Sequence, residues 1–287
     1  MIVNLPSRPD KLDSNTLAAS LTGFHFEVVP GMRGEDVPWK SLPNGYDTHP
    51  DSNGTIGAYR SLLNAVRSVV ERRLTTALIL EDDTDWDIDL KTQLCNFALG
   101  SRYLVSKTTL PYLAAAQNFH SPYGDSWDVL NLGHCTSGQH HPSLHDGNDP
   151  PRLFRISDDP TVPPPDHVSA PFHGSPSASE WVSQPGRRLV YRGASSCSWA
   201  HAVSFRGAQK MLDRMSVEPF SGGYDNGVQG LCQAEILDCI QVRLLTRCFR
   251  ALMMHLVVSL ALRCSCSTIN FLSFSLHIAL KSQVSLR

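Results

Sequence analysis

Leu78-Ile79-Leu80-Glu81-Asp82-Asp83-Thr84-Asp85-Trp86-Asp87 decides the fold, because an apolar run of strand type stops there in five carboxylates within seven positions. Ala77 to Leu80 reads as a short buried strand. Open α/β sheets bind their ligands at the C-terminal ends of such strands. Acids packed this closely repel one another, and a hard divalent cation with oxygen ligands, Mg2+ or Mn2+, relieves that repulsion while bridging to a phosphate-bearing substrate. The plainer alternative is a solvated acidic loop that follows a strand.

Upstream of this stretch, Ala58, Leu62, Leu63, Val66, Val69, Val70 and Leu74 recur at helical spacing, with Arg60, Arg67, Glu71, Arg72 and Arg73 on the other face. That pattern predicts an amphipathic helix after Gly57, laid on a sheet and feeding the acidic strand. Before it, Met1 to Leu5 reads as a strand, Pro6 to Lys11 as a turn, and Leu12 to Leu21 as a helix. Phe24 to Val29 follows as a second strand ended by Pro30-Gly31, and residues 32–56 read as loop from their scattered Gly, Pro, Asn and Asp. Alternating strands and helices define the α/β class. A helix from Ile88 to about Val105 is expected next.

Trp127-Asp128-Val129-Leu130-Asn131-Leu132-Gly133 reads as a strand ending in a turn, with Asp128 either a functional acid or a structural cap. Further on, Leu189-Val190-Tyr191 and Ser198 to Val203 are predicted strands. Ser204 is placed to cap a helix over Phe205 to Met215 whose Ala208, Met211, Leu212 and Met215 face inward. Another short helix is expected between Tyr224 and Asp238.

The chain has 287 residues, 41% apolar and 18% charged, with a net charge of −2. This suits a globular protein with a sizeable core, and no basic excess points to nucleic acid. Eight cysteines show no CxxC pair and do not settle the redox compartment. Met1 runs straight into the first strand, so either the protein is cytosolic or its true N-terminus lies upstream.

Four segments carry a resemblance: Val3-Asn4-Leu5-Pro6-Ser7-Arg8-Pro9-Asp10, the Leu78 to Asp83 block with Asp85-Trp86-Asp87, Trp127 to Cys135, and Ala200 to Ala208. Their order and approximate spacing resemble family 25 glycosyltransferases, the lipooligosaccharide and collagen galactosyltransferase group, and look most like members from fungi. The resemblance covers roughly residues 1–240. It implies a GT-A-like, Rossmann-like domain, a UDP-galactose or UDP-glucose donor, Mn2+ or Mg2+, a glycan or protein acceptor, and inversion at the anomeric carbon.

Carried onto this chain, the resemblance makes Glu81 and Asp83 the metal ligands of a DxD-like motif, with Asp82 beside them on the donor. Asn4 and Arg8, from the opening block, would face the nucleotide. Asp225, in Gly223-Tyr224-Asp225-Asn226, or else Asp128, would take the proton from the acceptor hydroxyl. Asp85 and Asp87 read as solvated or supporting acids. A lumenal or membrane location in the ER or Golgi follows if an anchor precedes Met1, and a cytoplasmic one otherwise. One departure stands out: family members often carry Ser-His where Ser61-Leu62 stands here.

The chain therefore divides into a nucleotide-sugar-binding part (1–135), a mobile Pro/Ser/His-rich insertion (136–188), an acceptor-side part (189–238) and a divergent tail (239–287). His134 and the insertion's His140, His141 and His145 read as ordinary loop histidines. No acidic residue occurs from Cys239 to Arg287. That tail reads as a membrane-associated helix, a buried helix or a non-native translation, the last being preferred; Ala251 to Leu262 is short of the roughly 20 residues that span a bilayer. Two other functions remain open: a Mg2+-dependent phosphohydrolase or nucleotidyltransferase, and an inactive relative that binds without turnover.

Overall fold

The computed structural model describes residues 1–44, 53–106, 118–133, 153–162, 186, 188–218 and 222–242. His134, the insertion histidines and residues 243–287 lie outside the described residues. The described part is an α/β molecule with one mixed eight-stranded sheet. Its strands are β1 (Ile2–Asn4), β2 (Val28–Pro30), β3 (Thr76–Glu81), β4 (Val129–Gly133), β5 (Leu153–Ile156), β6 (Arg188–Arg192), β7 (Ala200–Ser204) and β8 (Cys239–Val242), in the order β2-β1-β3-β7-β4-β8-β6-β5.

β1 pairs in parallel with β2 and β3, and β4 pairs in parallel with β8. β7 runs antiparallel between β3 and β4. Asn4, Glu81, Gly133 and Val242 therefore end their strands at one common edge of the sheet. Ligands gather at that edge in open α/β sheets.

The helices are α1 (Pro9–Thr22), α2 (Asn53–Glu71), α3 (Leu90–Val105), α4 (Phe205–Val217) and α5 (Tyr224–Gln233). On one sheet face, α2 buries Tyr59, Leu62, Leu63, Val66 and Val69 with Met211 and Met215 of α4 and Val228 and Leu231 of α5. The stripe seen in the sequence is that face, and α2 begins four residues before Gly57, within what the sequence suggests is loop. On the opposite face Phe97, Ala98 and Leu104 of α3 pack with Trp127, Leu130, Val190 and Ile240. Ser204 caps α4 as expected, its hydroxyl accepting from the Gly207 N–H at 3.0 Å.

Two boundaries need correction. Within the stretch expected to be a mobile insertion, Leu153-Phe154-Arg155-Ile156 forms edge strand β5, paired antiparallel to β6. The ion pair of Arg188 with Asp159, both side chains 4% exposed, and the Arg188 bond to the Thr161 hydroxyl tie this hairpin into the core. At the other boundary, Cys239–Val242, assigned to the divergent tail, is an interior strand whose four residues are all buried. Cys232 at the end of α5 and Cys239 at the start of β8 are joined by a disulfide. The folded unit thus closes beyond Asp238.

Candidate functional site

β3 delivers Glu81 to the sheet edge because its backbone is clamped on both sides: the Leu80 N–H donates to the Met1 carbonyl, and the Glu81 N–H to the Trp199 carbonyl at 3.0 Å. The Thr84 hydroxyl donates to the same Trp199 carbonyl at 2.6 Å, turning the chain after the acids. Glu81 accepts from the Ser198 hydroxyl at 2.8 Å. Burial, helped by the nearby charges of Asp83, Asp225 and Asp82, pushes its carboxyl up to about 7, against the pull of the Ser198 bond. Four carboxylates from two distant parts of the sequence therefore share one electrostatic neighbourhood.

Asp82 turns toward β1, where Asn4 Nδ2 donates to its carboxylate at 2.8 Å. Asn15 of α1, 3% exposed, donates to the Asp82 carbonyl at 2.6 Å. Asn4 and Asp82, both named by the resemblance, are thus brought together, and Asp83 is exposed. Arg8 is exposed and forks onto Asp10 at 2.8 and 2.9 Å, while feeling the fields of Asp82 and Asp83. It borders the acids without bonding to them. Asp85 and Asp87 are exposed and cap their own loop backbone, the Asp85 carboxylate accepting from Trp86 N–H and Asp87 from Asp89 N–H.

Asp225 reaches the same edge from the first turn of α5, where its carboxylate accepts from the Cys197 N–H at 3.1 Å. The chain enters that helix through Gly223 at φ 138°, a left-handed conformation that only glycine adopts without strain. A Cβ there would also stand 3.0 Å from Asp225 Oδ1.

Asp128 is not part of this site. It precedes β4 at the level of Ser204 and Thr76, roughly 16 Å along the strands from Glu81, on the opposite edge of the sheet. Fully buried, it binds Arg206 at 2.7 Å, Lys210 at 2.6 Å and the Asp238 N–H at 3.0 Å. Burial alone would raise its pKa, but those donors hold it below the usual carboxylate range. The α4 backbone comes so close that a Cβ on Gly207 would lie 2.3 Å from the Asp128 carbonyl. Asp128 is an anchor for α4, which corrects its candidacy as the base.

Sequence reasoning missed Ser198, His201 and Tyr224. His201, 1% exposed, faces the Ser198 carbonyl at 3.2 Å and the Tyr224 hydroxyl at 2.9 Å. The available signal is a lone histidine on the inward face of a strand of alanines and valine.

Among the described residues, no group of three or more His, Cys, Asp or Glu side chains forms a ready metal cage. The acids instead fan out, Glu81 to Ser198, Asp82 to Asn4 and Asp83 outward. This set fits a Mg2+-type ion that takes one or two carboxylates and fills the rest of its shell with phosphate oxygens and water. Among the same residues, no helix is long and apolar enough to cross a membrane. A scan against protein-family models finds none that matches the chain, and a search of curated proteins finds no match.

Proposed function

We propose that the protein is an inverting glycosyltransferase of GT-A-like fold that moves a hexose from a UDP-sugar to a hydroxyl on a glycan or protein. The observation that carries this reading is the meeting of Glu81, Asp82, Asp83 and Asp225 at the C-terminal edge of the parallel strands. The resemblance of four segments to family 25 glycosyltransferases supports it, as does the order strand, acidic turn, late acid on a separate helix.

In this reading Asp83 and Glu81 would hold Mn2+ or Mg2+, which would neutralise charge on the departing diphosphate. Asn4 fixes Asp82 beside the donor, and Arg8 lends positive charge at the rim. Asp225 takes the proton from the acceptor hydroxyl as that oxygen bonds to the anomeric carbon. The bond from that carbon to the diphosphate breaks, UDP leaves with the electron pair, and the configuration inverts. The Cys197 N–H donates to Oδ2 of Asp225 and so fixes the orientation of that carboxylate.

A donor screen with Mn2+ tests this. UDP release from UDP-galactose or UDP-glucose by the wild type, reduced at least about a hundredfold in Asp83→Ala and Asp225→Asn, is the expected result. Release of inorganic phosphate or pyrophosphate instead would point to a phosphohydrolase or nucleotidyltransferase. Equal UDP release by wild type and Asp83→Ala would remove the assignment.

A further inference from the structure

Glu81 and Asp225 come from different parts of the chain, and two buried bonds through His201 connect the segments that hold them. On one side, the segment between β6 and β7 carries Ser198, whose hydroxyl binds Glu81 at 2.8 Å, and Cys197, whose N–H binds Asp225 at 3.1 Å. On the other, α5 begins at Tyr224 and carries Asp225 one residue later. Between them lies His201 on β7.

A carbonyl only accepts, so the His201 Nδ1–H donates to the Ser198 carbonyl at 3.2 Å. That leaves Nε2 as acceptor for the Tyr224 O–H at 2.9 Å. The tautomer is thereby fixed, and burial, which drags the His201 pKa down to about 4, keeps the ring neutral at pH 7. Both partners are buried, with Tyr224 3% exposed and Ser198 8%. No solvent competes for either bond, so the imidazole works as a rigid two-ended spacer.

The geometry points to His201 and Tyr224 as positioning residues that set the separation of Glu81 and Asp225, and so align the donor-side acids with the proton acceptor. The inference rests on the transferase reading above. Both side chains are buried, so they act through Glu81 and Asp225 rather than at the surface. Loosening their bond lets α5 drift relative to β3, and sub-ångström to ångström errors in alignment act on the chemical step more than on donor binding.

Tyr224→Phe removes the hydroxyl while keeping the ring. His201→Asn keeps a donor near the Nδ1 position for the Ser198 carbonyl but loses the reach to Tyr224, whereas His201→Gln places an oxygen near Nε2 that can still accept from the tyrosine. Steady-state UDP release with and without acceptor, plus thermal unfolding, is measured on the full chain. Tyr224→Phe and His201→Asn are expected to lower kcat about tenfold with KM for the UDP-sugar changed less than about twofold, and His201→Gln to recover part of the loss. An active wild type with unaltered kcat in Tyr224→Phe, or variants that lose only thermal stability, would overturn the positioning role alone. A wild type that releases no UDP from any UDP-hexose would overturn the transferase reading and this inference together.

Discussion

Glu81 is a residue whose chemistry is strongly altered by its surroundings, and its protonation has a measurable consequence for stability. In the folded chain its carboxyl titrates at about 7 rather than at the ordinary 4.5. Between those values the native state keeps a proton that the unfolded chain has released, so stability falls as pH rises. The contribution is present in full below pH 4.5 and gone above about 7, an effect of at most about 3 kcal/mol. His201, lowered to about 4, slopes the other way: its contribution is present above its ordinary 6.5 and is lost as pH falls toward 4. The two oppose each other from about pH 4.5 to 6.5. Urea unfolding of wild type and Glu81→Gln, with divalent cations chelated, separates them. The variant is expected to match wild type at pH 4.5 and exceed it by about 2 kcal/mol at pH 8; a constant difference across that range would mean that Glu81 is not shifted.

At the scale of elements, Asp128 is the clearest case of a chemical side chain with a packing task. Its carboxylate gathers Arg206 and Lys210 of α4 and the amide that opens β8. Asp128→Ala removes the bonds that tie the partly exposed Arg206 and Lys210 and the Asp238 amide together and is expected to cost about 2 kcal/mol, with UDP release per folded molecule unchanged. Loss of turnover in protein that remains folded would return Asp128 to the site. β8 offers a second test. Gln241, fully buried, has neither amide atom hydrogen-bonded among the described residues, although it sits directly between Asn131 of β4 and Tyr191 of β6. A buried amide without partners costs about 1–3 kcal/mol. Gln241→Leu is therefore expected to raise the chemical-denaturation stability by about 1 kcal/mol, and a loss of similar size would reveal a bound water or another partner. Across the adjacent turn, the Cys232–Cys239 disulfide closes a short loop. Cys232→Ser should lower stability by about 2 kcal/mol in urea unfolding, and an unchanged midpoint would mean that the bridge does not stabilise the fold.

Across the whole molecule, the α/β alternation is legible in the sequence wherever burial imposes a period. The stripe of α2, the run into β3 and the cap at Ser204 each describe one element meeting one face, which is information the chain holds locally. β5 and β8 are not legible because the composition around each hides it. Leu153-Phe154-Arg155-Ile156 is submerged in a Pro/Ser-rich stretch, and Cys239-Ile240-Gln241-Val242 merges into the acid-free, apolar composition of the tail. Both are stabilised by neighbours distant in sequence, which no local pattern reports. In the site, the acids after Leu80 are legible because a strand end marks the ligand edge, whereas Asn4 is singled out only by the resemblance of the opening block. Asp128 could be set aside on the same ground, since it stands before Val129 rather than after Gly133. The bridge through His201 is not legible, as it depends on β7 lying between β3 and β4.

The proposed transferase depends on acids at the end of β3 holding a divalent cation against a nucleoside diphosphate. Calorimetric titration of UDP into the chelated protein, repeated with Mn2+, tests it on wild type and Asp83→Ala. UDP binding is expected to require Mn2+ and to weaken at least about tenfold in Asp83→Ala. UDP binding of equal strength without the metal, or in both proteins, would contradict it.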